Sequence, residues 1–219
     1  MKQLRHTLLA ALTILGIVLA ASVAAKPVVD KEYKLVDPPQ TQPSTVNGVE
    51  VLEFFNYACS HCYEFEPHLK IWLKNKPKNV EFRYVPAVFN ERMMPLAKIY
   101  YTLEEMALLE KLHDKVYFAI HQQQLNLADR AILLKWLGEQ AVDNKKFEAV
   151  FDSFSVNNKV QRAALMTRNY HIPGTPYVII GGRYLTGPSM SVGADGGVDN
   201  NRLMQILNEL VDMRQSGAR

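Results

Sequence analysis

The stretch Val51-Leu52-Glu53-Phe54-Phe55-Asn56-Tyr57-Ala58-Cys59-Ser60-His61-Cys62 decides how this chain folds. Its start is an apolar run of β-formers broken only by Glu53, the pattern of a buried strand. A Cys-x-x-Cys follows at once and opens an amphipathic run, in which Phe65, Leu69, Trp72 and Leu73 share one helix face. Both thiols therefore sit at a strand-to-helix corner, with Cys59 at the helix N-terminus and Cys62 one turn further in. The i, i+3 spacing brings them to the same side, within reach of a disulfide. Unpaired backbone N–H groups and the positive end of the helix dipole favour a thiolate at Cys59, which makes it the natural nucleophile. His61 can add positive charge or a hydrogen bond. Cys62, buried, stays a thiol until it resolves a mixed disulfide. A structural disulfide or two ordinary buried cysteines is the competing reading; the strand-before, helix-after setting favours redox chemistry.

The N-terminus reads as a targeting segment. Lys2 and Arg5 give a basic start, Leu8 to Ala21 an apolar core, and Ser22-Val23-Ala24-Ala25 a small-residue cleavage site, so residues 1–25 are expected to be a cleaved signal peptide. The alternative is an uncleaved anchor, for which the apolar core is short. Lys2 and Arg5 are the only charged side chains in the segment, and without them the formal net charge falls from +3 to +1. Nothing in that balance calls for nucleic acid, DNA or RNA, or for an anionic membrane surface. An exported chain normally spends cysteines on cross-links. Here the only two lie three residues apart, where closing so small a loop constrains the unfolded chain little. They are kept for chemistry.

Further along, Tyr33–Val36 suggests a short strand before a loop with Pro38, Pro39 and Pro43. Pro67 falls inside the active-site helix, where it removes the bond to the Tyr63 carbonyl and is expected to kink rather than end it. Val80–Val85 alternates like a strand. From Glu91 to Tyr170 the apolar spacing turns helical, as in Leu96, Ile99, Tyr100 and Leu103, then Leu112, Val116 and Ala119. Asp129 and Asp143 are expected to cap two of these helices, and Ser155 to start a longer one. Tyr177–Ile180, Gly181-Gly182 and Arg183–Thr186 form a hairpin signal with a two-residue turn. Gly193–Gly197 reads as a flexible connection, and Leu203, Ile206, Leu207, Leu210 and Val211 mark a closing amphipathic helix. Sequence rules thus give an α/β sheet with an inserted all-α lobe.

The segment Leu52-Glu53-Phe54-Phe55, with Cys59-x-His61-Cys62-Tyr63 and Phe65-Glu66, closely resembles the active-site region of bacterial DsbA-type thiol:disulfide oxidoreductases. Pro173-Gly174-Thr175-Pro176 and the Ile180–Tyr184 hairpin are similar to that family too, and the resemblance spans nearly all of the chain after residue 25. It implies a thioredoxin fold with an inserted all-α helical domain: residues 26–90 and 171–219 form the thioredoxin-like domain, 91–170 the insertion. It further implies Cys59 as nucleophile, Cys62 as resolving thiol, His61 as thiolate stabiliser, and Pro176 as a cis-proline that presents the Thr175 backbone to a substrate strand. Glu53 matches the family's acidic residue. It shares a strand face with Val51 and Phe55, so partial burial should raise its pKa and let it relay a proton to or from Cys62. One departure stands out: Ser60 occupies the place where the family most often has proline, and it restores a backbone N–H beside the sulfurs.

The reading that follows is an exported, periplasmic enzyme with no cofactor and no metal, which donates the Cys59–Cys62 disulfide to newly exported or unfolded cysteine-containing proteins. By resemblance, a quinone-linked membrane oxidase reoxidises it. The enzymatic alternative is a disulfide isomerase or reductase kept reduced by a membrane partner. A different class is a metal-binding Cys-x-x-Cys module, but zinc wants about four ligands and there is no second cysteine pair. His68, His113, His121 and His171 read as surface or satisfied polar residues.

Overall fold

A computed structural model describes residues 26–43 and 48–217; segment 1–25, expected from the sequence to be a signal peptide, lies outside the described residues. A short strand, β1 (Lys34–Leu35), precedes β2 (Val49–Phe55), all seven residues of which are buried. A near-continuous apolar strand needs cover on both faces and a partner on each edge, and β2 has both. The helix α1 (Ser60–Asn75) leads from it to β3 (Val80–Pro86), which pairs with β2 in parallel from Val49↔Val80 to Phe55↔Pro86. On the other edge β4 (Tyr177–Ile180) runs antiparallel to β2, and β5 (Tyr184–Thr186) pairs with β4 and with β1. The sheet order is β1-β5-β4-β2-β3.

Between β3 and β4 the chain is helical: α2 (Met94–Glu105), α3 (Leu109–His121), α4 (Arg130–Glu139), α5 (Asn144–Phe151) and α6 (Phe154–Asn169). The closing helix is α7 (Asn200–Gln215). Alternation along β2 sorts its side chains between two cores. Val51 packs with Phe65, Leu69 and Trp72 of α1 and with Leu203, Ile206, Leu207, Leu210 and Val211 of α7. Leu52 and Phe54 join the cluster that runs through α2 to α6. Each of these buried side chains is worth about 1.5–3 kcal/mol, so α1, and the cysteines at its start, are held from both sides.

Local rules explain most boundaries. Asp129 accepts from the Ala131 and Ile132 N–H groups, and Asp143 from that of Lys146, as N-caps do. Gly181 and Gly182 both take positive φ, +58° and +67°, which a two-residue hairpin turn of this twist requires. Helix α1 continues through Pro67 to Asn75 rather than stopping at Glu66. Three expectations shift. The first strand shrinks to Lys34–Leu35. The cap of α6 is Ser153, whose hydroxyl accepts from the Val156 N–H, while the Ser155 hydroxyl turns to Glu105. Gly193–Gly197 is a closed turn, with the Gly193 N–H bonded to the Gly197 carbonyl at 2.8 Å and Val192 bridging Val198.

Candidate active site

Asn56 shapes the corner between β2 and α1. Its side-chain oxygen accepts from the Ala58 N–H at 2.8 Å and its carbonyl from the Cys59 N–H at 3.0 Å, an Asx-type turn. Cys59 then occupies the N-cap of α1 in an extended conformation, φ −87° and ψ 117°. Both cysteines are free thiols, Cys59 half-buried and Cys62 fully buried. Thr175, which precedes Pro176 through a cis peptide, lies against Cys59: its carbonyl accepts from Sγ at 3.2 Å.

The two thiols have opposite environments. Cys59 receives a hydrogen bond from the Cys62 thiol, and the Thr175 side chain and the N–H groups of Cys62 and His61 also favour its thiolate. Among the described residues the thiol makes no N-cap hydrogen bond of ordinary geometry, yet those N–H groups lie near enough to stabilise charge. Against partial burial and the Thr175 carbonyl, both of which favour the thiol, they win, and its pKa is lowered to about 5. Burial pushes the Cys62 thiol far the other way, reinforced by its bond to Cys59 and by the negative charge available at Glu53 and Cys59. The His61 ring is exposed and pairs with Glu64 at 3.3 Å. What it sends towards Cys59 is its backbone N–H.

Glu53 is buried outright, not partly, because β2 is flanked by β3 and β4 and residue 53 is paired with Tyr84 and Val178. Neither carboxylate oxygen has a hydrogen-bond partner among the described residues. Burial, then the nearby Glu66 and Cys59, raise its pKa well above the ordinary carboxylate range. Burial thus favours the protonated form of Glu53, near a thiol whose ionisation burial likewise opposes.

Sequence reading passed over the neighbours of this acid. Glu66 of α1 is only 4 % exposed; Tyr84 donates to its Oε1 at 2.9 Å, and its Oε2 has no partner among the described residues. His113 of α3, read as a surface or satisfied residue, is 6 % exposed. Its Nδ1 meets the Tyr57 hydroxyl at 2.7 Å, while Nε2 makes no hydrogen bond among the described residues. A signal existed in both cases. Cys62, Glu66 and Leu69 follow i, i+4, i+7, and His113, Val116 and Tyr117 follow i, i+3, i+4, so each polar residue lies on its helix's buried face. His121 is likewise engaged, with Nε2 2.8 Å from the Tyr57 carbonyl and its ring stacked on Tyr63. Among the described residues, no three His, Cys, Asp or Glu side chains gather as metal ligands.

Residues 85–200 match the model of the DSBA-like thioredoxin domain. Over 182 residues the chain is 40% identical to the thiol:disulfide interchange protein DsbA of Bordetella parapertussis, covering 83% of each. The chain belongs to the DsbA family. It is a protein thiol:disulfide oxidoreductase, with a thioredoxin fold carrying a helical insertion. The DsbA of Burkholderia cepacia is 36% identical over 215 residues, 98% of each chain. The crystal structure of Pseudomonas aeruginosa DsbA superposes with a TM-score of 0.79 at 27% identity, over 87% of this chain and 96% of that one.

Proposed function

We propose that this DsbA-family enzyme works in the periplasm, residues 1–25 serving as its signal peptide, and that Cys59–Cys62 is the disulfide it hands to newly exported proteins. A substrate thiolate attacks the Cys59 sulfur. The S–S bond breaks, its electron pair leaves on Cys62, and that sulfur takes the proton of the Glu53 carboxyl. A second substrate thiolate then attacks the substrate sulfur of the mixed disulfide and expels Cys59 as a thiolate. The substrate gains a disulfide and loses two electrons; the enzyme ends with a Cys59 thiolate and a Cys62 thiol. A quinone-linked membrane oxidase returns it to the disulfide state.

The observation that carries this reading is the contrast between the sulfurs: Cys59 accessible, with its pKa lowered to about 5, and Cys62 buried and held as a thiol. A good leaving thiolate at Cys59 favours release of oxidised substrate, the direction of a donor rather than a reductase. The Thr175–Pro176 backbone beside Cys59 suits an extended substrate segment, and His61 contributes its backbone N–H. Residues 26–90 and 171–219 supply the chemistry, and the insertion 91–170 closes over the buried face. Alkylation of the reduced protein tests the assignment. Labelling should fall on Cys59, with a rate that rises through pH 5, and Cys62→Ala should accumulate mixed disulfides. Labelling of Cys62 first, or an inflection near 8.5, the value of an ordinary thiol, would reject it.

A further inference from the structure

The position of the Cys59 sulfur depends on how the chain is tied down on each side of it. On the C-terminal side its carbonyl accepts from the Tyr63 N–H at 3.1 Å and so belongs to α1. On the N-terminal side Asn56-Tyr57-Ala58-Cys59 is a β-turn, closed by the bond from the Cys59 N–H to the Asn56 carbonyl. Such a turn is loosest at its central peptide, here Tyr57–Ala58, which the closing bond does not hold. A rotation of that peptide changes the direction in which the chain enters Cys59.

Two bonds hold it. The Ala58 N–H donates to the Asn56 side chain at 2.8 Å. The Tyr57 carbonyl lies 2.8 Å from Nε2 of His121, the last residue of α3. A carbonyl only accepts, so Nε2 is the donor. It carries a proton in the neutral tautomer that this bond selects and in the charged ring alike, so the bond stands in either state.

The ring itself is clamped. It lies flat on Tyr63, with 4.9 Å between centroids and 6° between planes, and tilted against Tyr117 at 6.1 Å. Tyr63 follows Cys62, so one imidazole touches the catalytic helix and holds the turn in front of it. About two helical turns earlier α3 takes hold of Tyr57 again, where His113 Nδ1 meets its hydroxyl at 2.7 Å. Both bonds come from outside the unit that carries the cysteines, since α3 is one of the helices between β3 and β4. The groups that face the Cys59 sulfur are Cys62 and the N–H of His61 on α1, Thr175 before β4, and Glu53 of β2.

We propose that His121 is a positioning residue for disulfide exchange: its Nε2–H, by holding the Tyr57 carbonyl, fixes the turn that delivers the Cys59 sulfur to the N–H groups at the start of α1. The inserted helices thereby tune a cysteine that none of them carries. Without that bond the Tyr57–Ala58 peptide rotates, the sulfur leaves those donors for part of the time, and its thiolate is held less well.

This rests on Cys59 being the nucleophile, and the test separates the two claims. The reduced full-length protein is alkylated with iodoacetamide from pH 4 to pH 9, and its redox equilibrium with glutathione is measured at pH 7. His121→Phe keeps a ring on Tyr63 but has no donor; His121→Gln places an amide N–H near the position of Nε2 but has no ring. His121→Phe should raise the inflection of Cys59 labelling by about one pH unit and shift the equilibrium about 10-fold towards the disulfide form. His121→Gln should keep both near the parent. If His121→Phe leaves both as in the parent, or melts lower with an unmoved inflection, the proposal is overturned. It is overturned equally if His121→Gln moves both as far as His121→Phe does, because the stack and not the hydrogen bond is then what counts. Should His121→Phe not fold, the smaller His121→Leu is judged by the same criteria. A parent protein that labels at Cys62 first, or inflects near 8.5 as an ordinary thiol does, refutes the reading beneath.

Discussion

The low pKa of Cys59 makes the relative stability of the two redox forms depend on pH. A thiol whose folded pKa is about 5 and whose unfolded value is about 8.5 stabilises the reduced fold through its thiolate. The contribution is complete above pH 8.5 and is gone once the pH has fallen through 5. At about 1.36 kcal/mol per unit, it amounts to almost 4 kcal/mol at pH 8 and nearly nothing at pH 4. Cys59 is only half-buried, and solvent screening brings the pH 8 figure to about 2.5–3.5 kcal/mol. Burial of Cys62 works in the opposite sense but only above its unfolded pKa, so it hardly enters below pH 8. The oxidised form lacks the thiolate and gains a cross-link, worth about 2 kcal/mol for so short a loop and independent of pH. The oxidised protein should therefore melt higher at pH 4 and the reduced protein at pH 8. The difference between their midpoints should swing by roughly 5–14 °C for a chain of this size. Calorimetry of both forms at the two pH values is the assay, with Cys59→Ser, which has no disulfide form, as the control for the pH dependence that remains without the thiolate. A difference that stays constant across this range would refute the reasoning.

Two substitutions test the scaffold around the site. Ser60 opens α1, a position that suits proline, and the extended Cys59 before it (φ −87°, ψ 117°) is compatible with a following proline. Ser60→Pro should stabilise both redox forms by about 0.4–1 kcal/mol in denaturant titrations. Because the groups lowering the Cys59 pKa are Cys62, Thr175 and His61, its alkylation inflection should stay near 5; a large move would mean that the Ser60 N–H holds the thiolate. At Gly182, φ is +67° and an added Cβ would lie 2.0 Å from the Gln40 carbonyl oxygen. Gly182→Ala should cost more than about 1 kcal/mol in the same titration, and an unchanged midpoint would sink that account.

The fold was largely legible because its signals are local. The apolar run before Cys59, the Gly181-Gly182 turn and the caps Asp129 and Asp143 each depend on residues close in sequence, and each reappears in the structure. The cysteine pair was legible for the same reason. What escaped were meetings across elements. The partners of His113 come from β2, β3, α1 and α2, and no spacing within α3 shows that a tyrosine 56 residues earlier will bond its ring. Glu53 was recognised as an acid in an apolar strand, but its complete burial depends on β4, which arrives after the helices. His61 shows the reverse case. Its place between the cysteines suggested a charge on the sulfur, whereas an i, i+3 partner, Glu64, draws the ring to the surface.

The site divides thermodynamics from kinetics between its two sulfurs. Whatever stabilises the Cys59 thiolate stabilises the reduced enzyme and so strengthens the disulfide as an oxidant. Two decades between a pKa of about 5 and pH 7 correspond to roughly 60 mV for a two-electron couple, before screening. Cys62 adds nothing of this kind, since it is a thiol in the folded and unfolded reduced chain alike at neutral pH. Its burial does something else. A thiolate expelled into that pocket has no solvent to stabilise it, and without a proton at hand it would return to Cys59 and reverse the exchange. A protonated carboxyl without a hydrogen-bond partner among the described residues, as at Glu53, is destabilising in any structural account. Beside such a leaving group it is a ready proton. In the proposed cycle the surroundings of Cys59 thus set how far the exchange runs, and the buried Glu53 sets how fast.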